Sequence, residues 1–184
     1  MTSNRVLILI PGKNARGGIT NYYSSVRSFF PKEIIYQKRG SRNWPTRSNI
    51  FVETLRLILD YIFFIYNLIF KKISLVQTTT AFYKSSIIRD GIFLLIAFIF
   101  RKKTIVFFRG WNDDFVYNLS GLSLKLFKIV FFNTDALIDL SEQNVNYLRK
   151  MGYEKEIYLE TTVVDRYLLE NIDVLSLVSR RIKN

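Results

Sequence analysis

Short apolar runs alternate with stretches of helical spacing along the whole chain. The runs are Val6–Ile10, Glu33–Tyr36, Leu75–Thr79, Thr104–Phe108, Ala136–Leu140 and Ile157–Glu160. Most are rich in β-branched residues and continuous, where a half-buried strand would alternate apolar with polar. Strands of that kind are covered on both faces, which predicts a parallel sheet. Helices are expected at about 19–30, 48–71, 85–101, 120–132 and 141–151. The order βαβαβαβαβαβ predicts an α/β domain: a doubly wound, mainly parallel sheet with helices on both faces and ligands at the carboxyl ends of the strands. Ser141-Glu142 is a suitable helix start and Gly152, after Lys150, a suitable stop. Residues 161–169 read as irregular, and 170–184 as a polar-to-basic tail.

At 184 residues the chain has material for one well-buried domain. With 49% hydrophobic and 16% aromatic residues it is not a disordered segment. It contains no cysteine and no histidine, which excludes disulfide scaffolds, ordinary zinc sites and serine–histidine or cysteine–histidine catalysis. No metal site is expected. Val6–Ile10 is too short for a signal-peptide core, so a cytoplasmic location is expected. Leu55–Phe70 and Gly91–Phe100 are the most apolar stretches, but Arg56 and Asp60 interrupt the first and the second is too short for a membrane span of roughly 20 residues. Both are expected to be buried helices.

Positive charge is concentrated in the first half. Residues 1–103 hold 17 Lys/Arg against four Asp/Glu, whereas residues 104–184 hold 10 against 11. Lys38, Arg39, Arg42 and Arg47 surround Trp44 and Pro45. Basic residues beside an interfacial tryptophan suit an anionic lipid surface. The same composition equally serves a solvated loop. Nucleic acid is not expected as a partner, because no nucleic-acid module accompanies the charge.

Three segments are candidates for chemistry. The first apolar run leads into Pro11-Gly12-Lys13-Asn14-Ala15-Arg16-Gly17-Gly18. Paired glycines between a strand and a helix let the backbone approach a ligand and present amides to an anion, or simply make a turn. The segment is no P-loop, because Gly18 and Ile19 stand where Lys and Ser/Thr are needed. Phe107-Phe108-Arg109-Gly110-Trp111-Asn112-Asp113-Asp114-Phe115 follows a core strand. Arg109 there is suited to a phosphate or a sugar hydroxyl, and Trp111 or Phe115 to stacking on a sugar. Alternatively, Asn112 or Asp113 caps a helix within an aromatic-lined turn. Arg89 and Asp90 read either as site residues or as a partly buried ion pair. Thr161, Thr162, Val163 and Asp165 follow the last strand at the same edge.

Taken in order, these segments resemble the amino-terminal half of family 4 glycosyltransferases over about residues 4–168. The landmarks are Arg16-Gly17-Gly18-Ile19-Thr20-Asn21-Tyr22-Tyr23, Val76-Gln77-Thr78-Thr79-Thr80 with Ser86 and Arg89-Asp90, Val106-Phe107-Phe108-Arg109-Gly110-Trp111, and Asp135-Ala136-Leu137-Ile138-Asp139-Leu140-Ser141, closed by Thr161-Thr162-Val163-Val164-Asp165. The resemblance implies the acceptor-side, Rossmann-like half of a GT-B fold (1–169), with 170–184 as interdomain linker or tail and the donor-binding domain absent. It implies transfer of a sugar from a nucleotide-sugar to a lipid-linked or polysaccharide acceptor, with no cofactor beyond that donor substrate. Gly17 and Gly18 would lie near the donor phosphates. Arg109 stands where many members carry histidine; it cannot serve as a base at neutral pH but can stabilise developing charge. Trp111, Asn112, Asp113, Arg89 and Thr162 would face the acceptor. Lys38, Arg39, Arg42, Trp44 and Arg47 would face the inner surface of the cytoplasmic membrane. Activity would depend on a separate donor domain, since the family's pair of glutamates seven residues apart is missing here. The alternative is a non-catalytic, membrane-peripheral binding protein that kept the fold.

Overall fold

The structure is a computed structural model, and it describes residues 5–12, 15, 17–40 and 49–162. Six strands form one all-parallel sheet in the order β2-β1-β3-β4-β5-β6. The chain runs β1 (Arg5–Ile10), α1 (Gly18–Val26), a short 3-10 turn (Arg27–Phe29), β2 (Ile34–Lys38), α2 (Ile50–Phe70), β3 (Ile73–Thr80) and α3 (Lys84–Ile99). It continues through β4 (Lys103–Phe108), α4 (Asp113–Tyr117), α5 (Gly121–Phe131), β5 (Ala136–Asp139), α6 (Glu142–Lys150) and β6 (Glu156–Leu159). The expected doubly wound α/β architecture is present.

Alternate residues of each strand divide between two layers. Leu7 and Leu9 of β1 pack with Phe64 and Leu68 of α2 and with Phe93 and Ala97 of α3. On the same face Val106, Phe108 and Leu137 meet Leu94, Phe127, Phe131 and Leu148. The opposite face carries Ile8 and Phe107, which pack against Tyr22 and Tyr23 of α1. Thus α1 covers one face while α2, α3, α5 and α6 cover the other. This division follows from the strand order: only the β1–β2 connection steps leftwards, and right-handed crossovers put a reversed step on the reverse face.

The reversal lies between β1 and β3, whose ends form the topological switch point where such sheets bind ligands. Past the strands the pairing of β3 with β4 continues, with Arg109 N–H donating to Thr80 O and Phe82 N–H to Gly110 O, both at 2.8 Å. Gly110 has φ +141°, and a Cβ there would stand 3.1 Å from that of Ala81. Only glycine fits this turn.

Two sequence expectations need correction. The Leu55–Phe70 and Gly91–Phe100 helices are buried on one side only: Phe64 and Phe93 are fully enclosed, but Phe70 is 65% and Ile99 78% exposed. The second correction concerns Arg39, expected to face a membrane. It is 3% exposed and lies 3.1 Å from Asp90, which is itself fully buried. Residue 39 follows β2 directly, and the carboxylate on α3 draws the guanidinium inward.

Candidate active site at the carboxyl edge of the sheet

Arg109 leaves β4 on the α1 side. Its guanidinium carbon sits 4.0 Å from the ring centre of Tyr22 and 5.0 Å from that of Phe107. Among the described residues it forms neither ion pair nor side-chain hydrogen bond, and its Nη1 is enclosed without a partner. Burial lowers its pKa, and the neighbouring tyrosines and Glu160 act in the opposite direction. A guanidinium stays protonated at neutral pH all the same. The site therefore holds a cation between ring faces, with hydrogen-bonding capacity unspent.

Tyr22 belongs to the helix that the glycine pair opens. Gly17 precedes α1 with φ +149° and Gly18 is its first residue; a side chain at either would meet open space. No side chain caps α1 and no acidic residue occupies its first turn. The structure thus joins the glycine pair to Arg109 through Tyr22. Behind it, Tyr23 shares a 2.9 Å hydrogen bond with Thr79 Oγ1 and accepts one from Gln77 Nε2 at 2.8 Å. Burial pushes the Tyr23 phenol up to about 12, partly offset by the Thr79 bond. A recess of about 270 Å³ opens beside it, lined by Ile10, Pro11, Thr20, Tyr23, Ser24 and Arg27.

Trp111 turns to the other side of β4. Its ring centre is 4.3 Å from that of Phe82 and 5.9 Å, edge to face, from Tyr147. With Tyr117 and Tyr147 it gives an aromatic wall to a recess of about 420 Å³, whose other lining residues, Glu142, Gln143, Asn144, Asn146 and Lys150, are polar. Aromatic faces beside amides and single charges suit a small polar ligand that also has an apolar face. Trp111 stands out in the sequence whereas the α6 residues beside it do not, although Asn146 and Lys150 stand four apart on one helix face. Asn112 is the cap of α4, its Oδ1 accepting from Phe115 N–H at 2.9 Å. Asp113 is exposed in the first turn of that helix.

The remaining candidates lie elsewhere. Arg89 grips Asp90 with two hydrogen bonds, Nε at 2.9 Å and Nη2 at 3.0 Å. Asp90 thereby serves two arginines, and Arg39 also donates through Nη2 to the Thr79 carbonyl. Burial lowers the Arg39 pKa to about 10, against the upward pull of Asp90. The ion-pair reading of Arg89-Asp90 is the one realised, and it locks α3 to the ends of β2 and β3. Thr162 is exposed beyond β6. Lys38 is exposed, whereas Arg42, Trp44 and Arg47 lie outside the described residues.

No protein-family model and no curated protein matches the chain.

Proposed function

We propose that this chain is the acceptor-side, Rossmann-like domain of a family 4 glycosyltransferase, transferring a sugar from a nucleotide-sugar to a lipid-linked or polysaccharide acceptor at the cytoplasmic face of the membrane. The observation that supports this reading is the Arg109 guanidinium, enclosed by rings at the carboxyl edge with no carboxylate bound to it. An arginine placed for structure alone is normally paired, because an uncompensated buried cation is costly. One left unpaired beside a switch point suits an anion that arrives with the substrate.

In such a transfer the acceptor hydroxyl oxygen bonds to the anomeric carbon while the bond from that carbon to the phosphate oxygen breaks. The electron pair leaves with the nucleoside diphosphate, and the acceptor proton passes to the departing phosphate. Arg109 takes no proton in this scheme; it stabilises the charge that accumulates on the leaving group. The Trp111 recess receives the acceptor sugar. Arg109 and Trp111 are two residues apart on opposite sides of the β4 end, so a ligand laid across that edge reaches both.

The test is calorimetric titration of the full chain with inorganic pyrophosphate and with uridine 5′-diphosphate. Binding in about the millimolar range is expected, weakened about tenfold or more in Arg109→Gln. Equal affinity in the two proteins, or no heat from either probe, contradicts the reading.

A further inference from the structure

The α2–α3 layer is built with its polarity reversed. Beyond Thr54, every exposed residue of α2 is aliphatic or aromatic, and beyond Ser85 the same holds for α3. Beyond its first two turns the polar residues of α2 meanwhile point inward: Asp60 and Asn67 are buried, with Asp60 Oδ2 accepting from Gly40 N–H at 3.1 Å and Asn67 Nδ2 donating to Gln37 Oε1 at 3.0 Å. The two helices lie side by side, their Phe64 and Phe93 rings 5.1 Å apart. Their outer surfaces therefore form one sheet of apolar side chains, including Ile58, Ile62, Phe63, Phe70, Ile92 and Ile99. Twelve large side chains, each leaving on the order of 100 Å² open, give on the order of 1,000 Å². The largest patch on an ordinary monomer is about 300–600 Å². An apolar groove of about 520 Å³ between α3 and α5 extends the same surface.

Charge identifies what covers it. The acidic residues of α2, α3 and α5 are Glu53, Asp60 and Asp90. The last two are buried, and Glu53 is bound to Arg56 at 3.0 Å. Toward solvent this layer has cations and apolar groups but no unpaired acid. Where α2 and α3 end, Lys71, Lys72, Arg101, Lys102 and Lys103 gather, because Leu75 of β3 pairs with Lys103 of β4 and brings the two helix–strand joints together. No acidic residue lies within either joint. Among the described residues no helix is long and apolar enough to cross a membrane.

We infer that the outer face of α2 and α3 docks onto an anionic lipid bilayer, its apolar side chains sunk into the boundary between headgroups and acyl chains and its basic end among the phosphates. Binding of this kind scales with apolar area and adds the attraction of each nearby Lys or Arg. The helices run alongside the strands, so the docked layer leaves the carboxyl edge of the sheet uncovered, with Arg109 on the far, α1 side of the sheet. The docking deepens the membrane location proposed above, while the pyrophosphate titration of Arg109 needs no lipid and tests the transfer chemistry apart from it.

Co-sedimentation of the full chain with phosphatidylglycerol-containing vesicles, against pure phosphatidylcholine, tests it. The variants are Ile62→Gln/Phe63→Gln/Ile92→Gln on the face and Lys71→Gln/Lys72→Gln/Lys102→Gln at the rim. All six positions are exposed or partly so, and an unchanged melting temperature in each variant without lipid confirms folding. The wild-type chain should bind anionic vesicles at least about tenfold more tightly than the face variant, and the rim variant should lose the preference for anionic lipid. A Phe63→Trp chain should be quenched by brominated acyl chains. A wild-type chain that stays in the supernatant overturns the inference, as does a face variant that binds equally well. A chain that self-associates without lipid, and becomes monomeric in the face variant without gaining from vesicles, assigns the face to a second copy and overturns it too.

Discussion

Asp90 receives two guanidinium groups where neither it nor Arg39 has access to water, and the consequences of removing it are correspondingly large. Asp90→Asn keeps the shape and removes the charge, leaving Arg39 buried without its counter-ion. Breaking one side of such a pair costs about 3–5 kcal/mol, so chemical denaturation should show a midpoint far below that of the wild type. The tyrosines make a second prediction at the same scale. Tyr23 and Tyr61 are both raised to about 12 from an ordinary value of 10.0, chiefly by burial. Each keeps its proton longer in the folded chain than in the unfolded one, so folding loses stability as pH rises from about 10 towards 12 and loses none below that window. Absorbance titration should show these phenols ionising late, together with loss of ellipticity, and Tyr23→Phe should flatten the alkaline slope.

At the scale of elements, the β4–α4 turn is the least forgiving. Gly110→Ala would force a side chain onto φ +141° and against Ala81, and a loss of about 1–3 kcal/mol is expected in thermal melts. Asn112→Ala removes the cap of α4 and should cost about 1 kcal/mol. The strands were legible in the sequence because parallel strands covered on both faces are continuous apolar runs. Their ends were less so: β2 extends to Lys38 because the register pairs Ile10 with Lys38, a fact of pairing that composition does not carry. The five-residue α4 is too short to show a period. The position of Arg109 could be read from its place after a core strand. The burial of Arg39 could not, because Asp90 reaches it only once α3 is laid against the sheet. The outward apolar face of α2 was read as core for a related reason: hydrophobicity reports a dry environment without saying whether protein or lipid supplies it.

For the whole molecule, the sheet keeps the two proposed regions apart. The carboxyl edge holds Arg109 and the Trp111 recess, and the α2–α3 layer forms a flank. A ligand that binds only the folded chain raises its melting temperature by mass action. Anionic vesicles should therefore raise it progressively with lipid concentration and phosphatidylcholine vesicles should not, as scanning fluorimetry can follow. At the edge, Arg109 is proposed to be held open for an incoming anion. Nitrogen-15 NMR of the arginine side chains during a pyrophosphate titration reads this at the guanidinium itself. A saturable shift of the Arg109 signal is expected, with Arg39 and Arg89, already bound to Asp90, left in place. A fixed Arg109 signal while exposed arginines drift together would contradict it, showing only diffuse attraction to a basic protein.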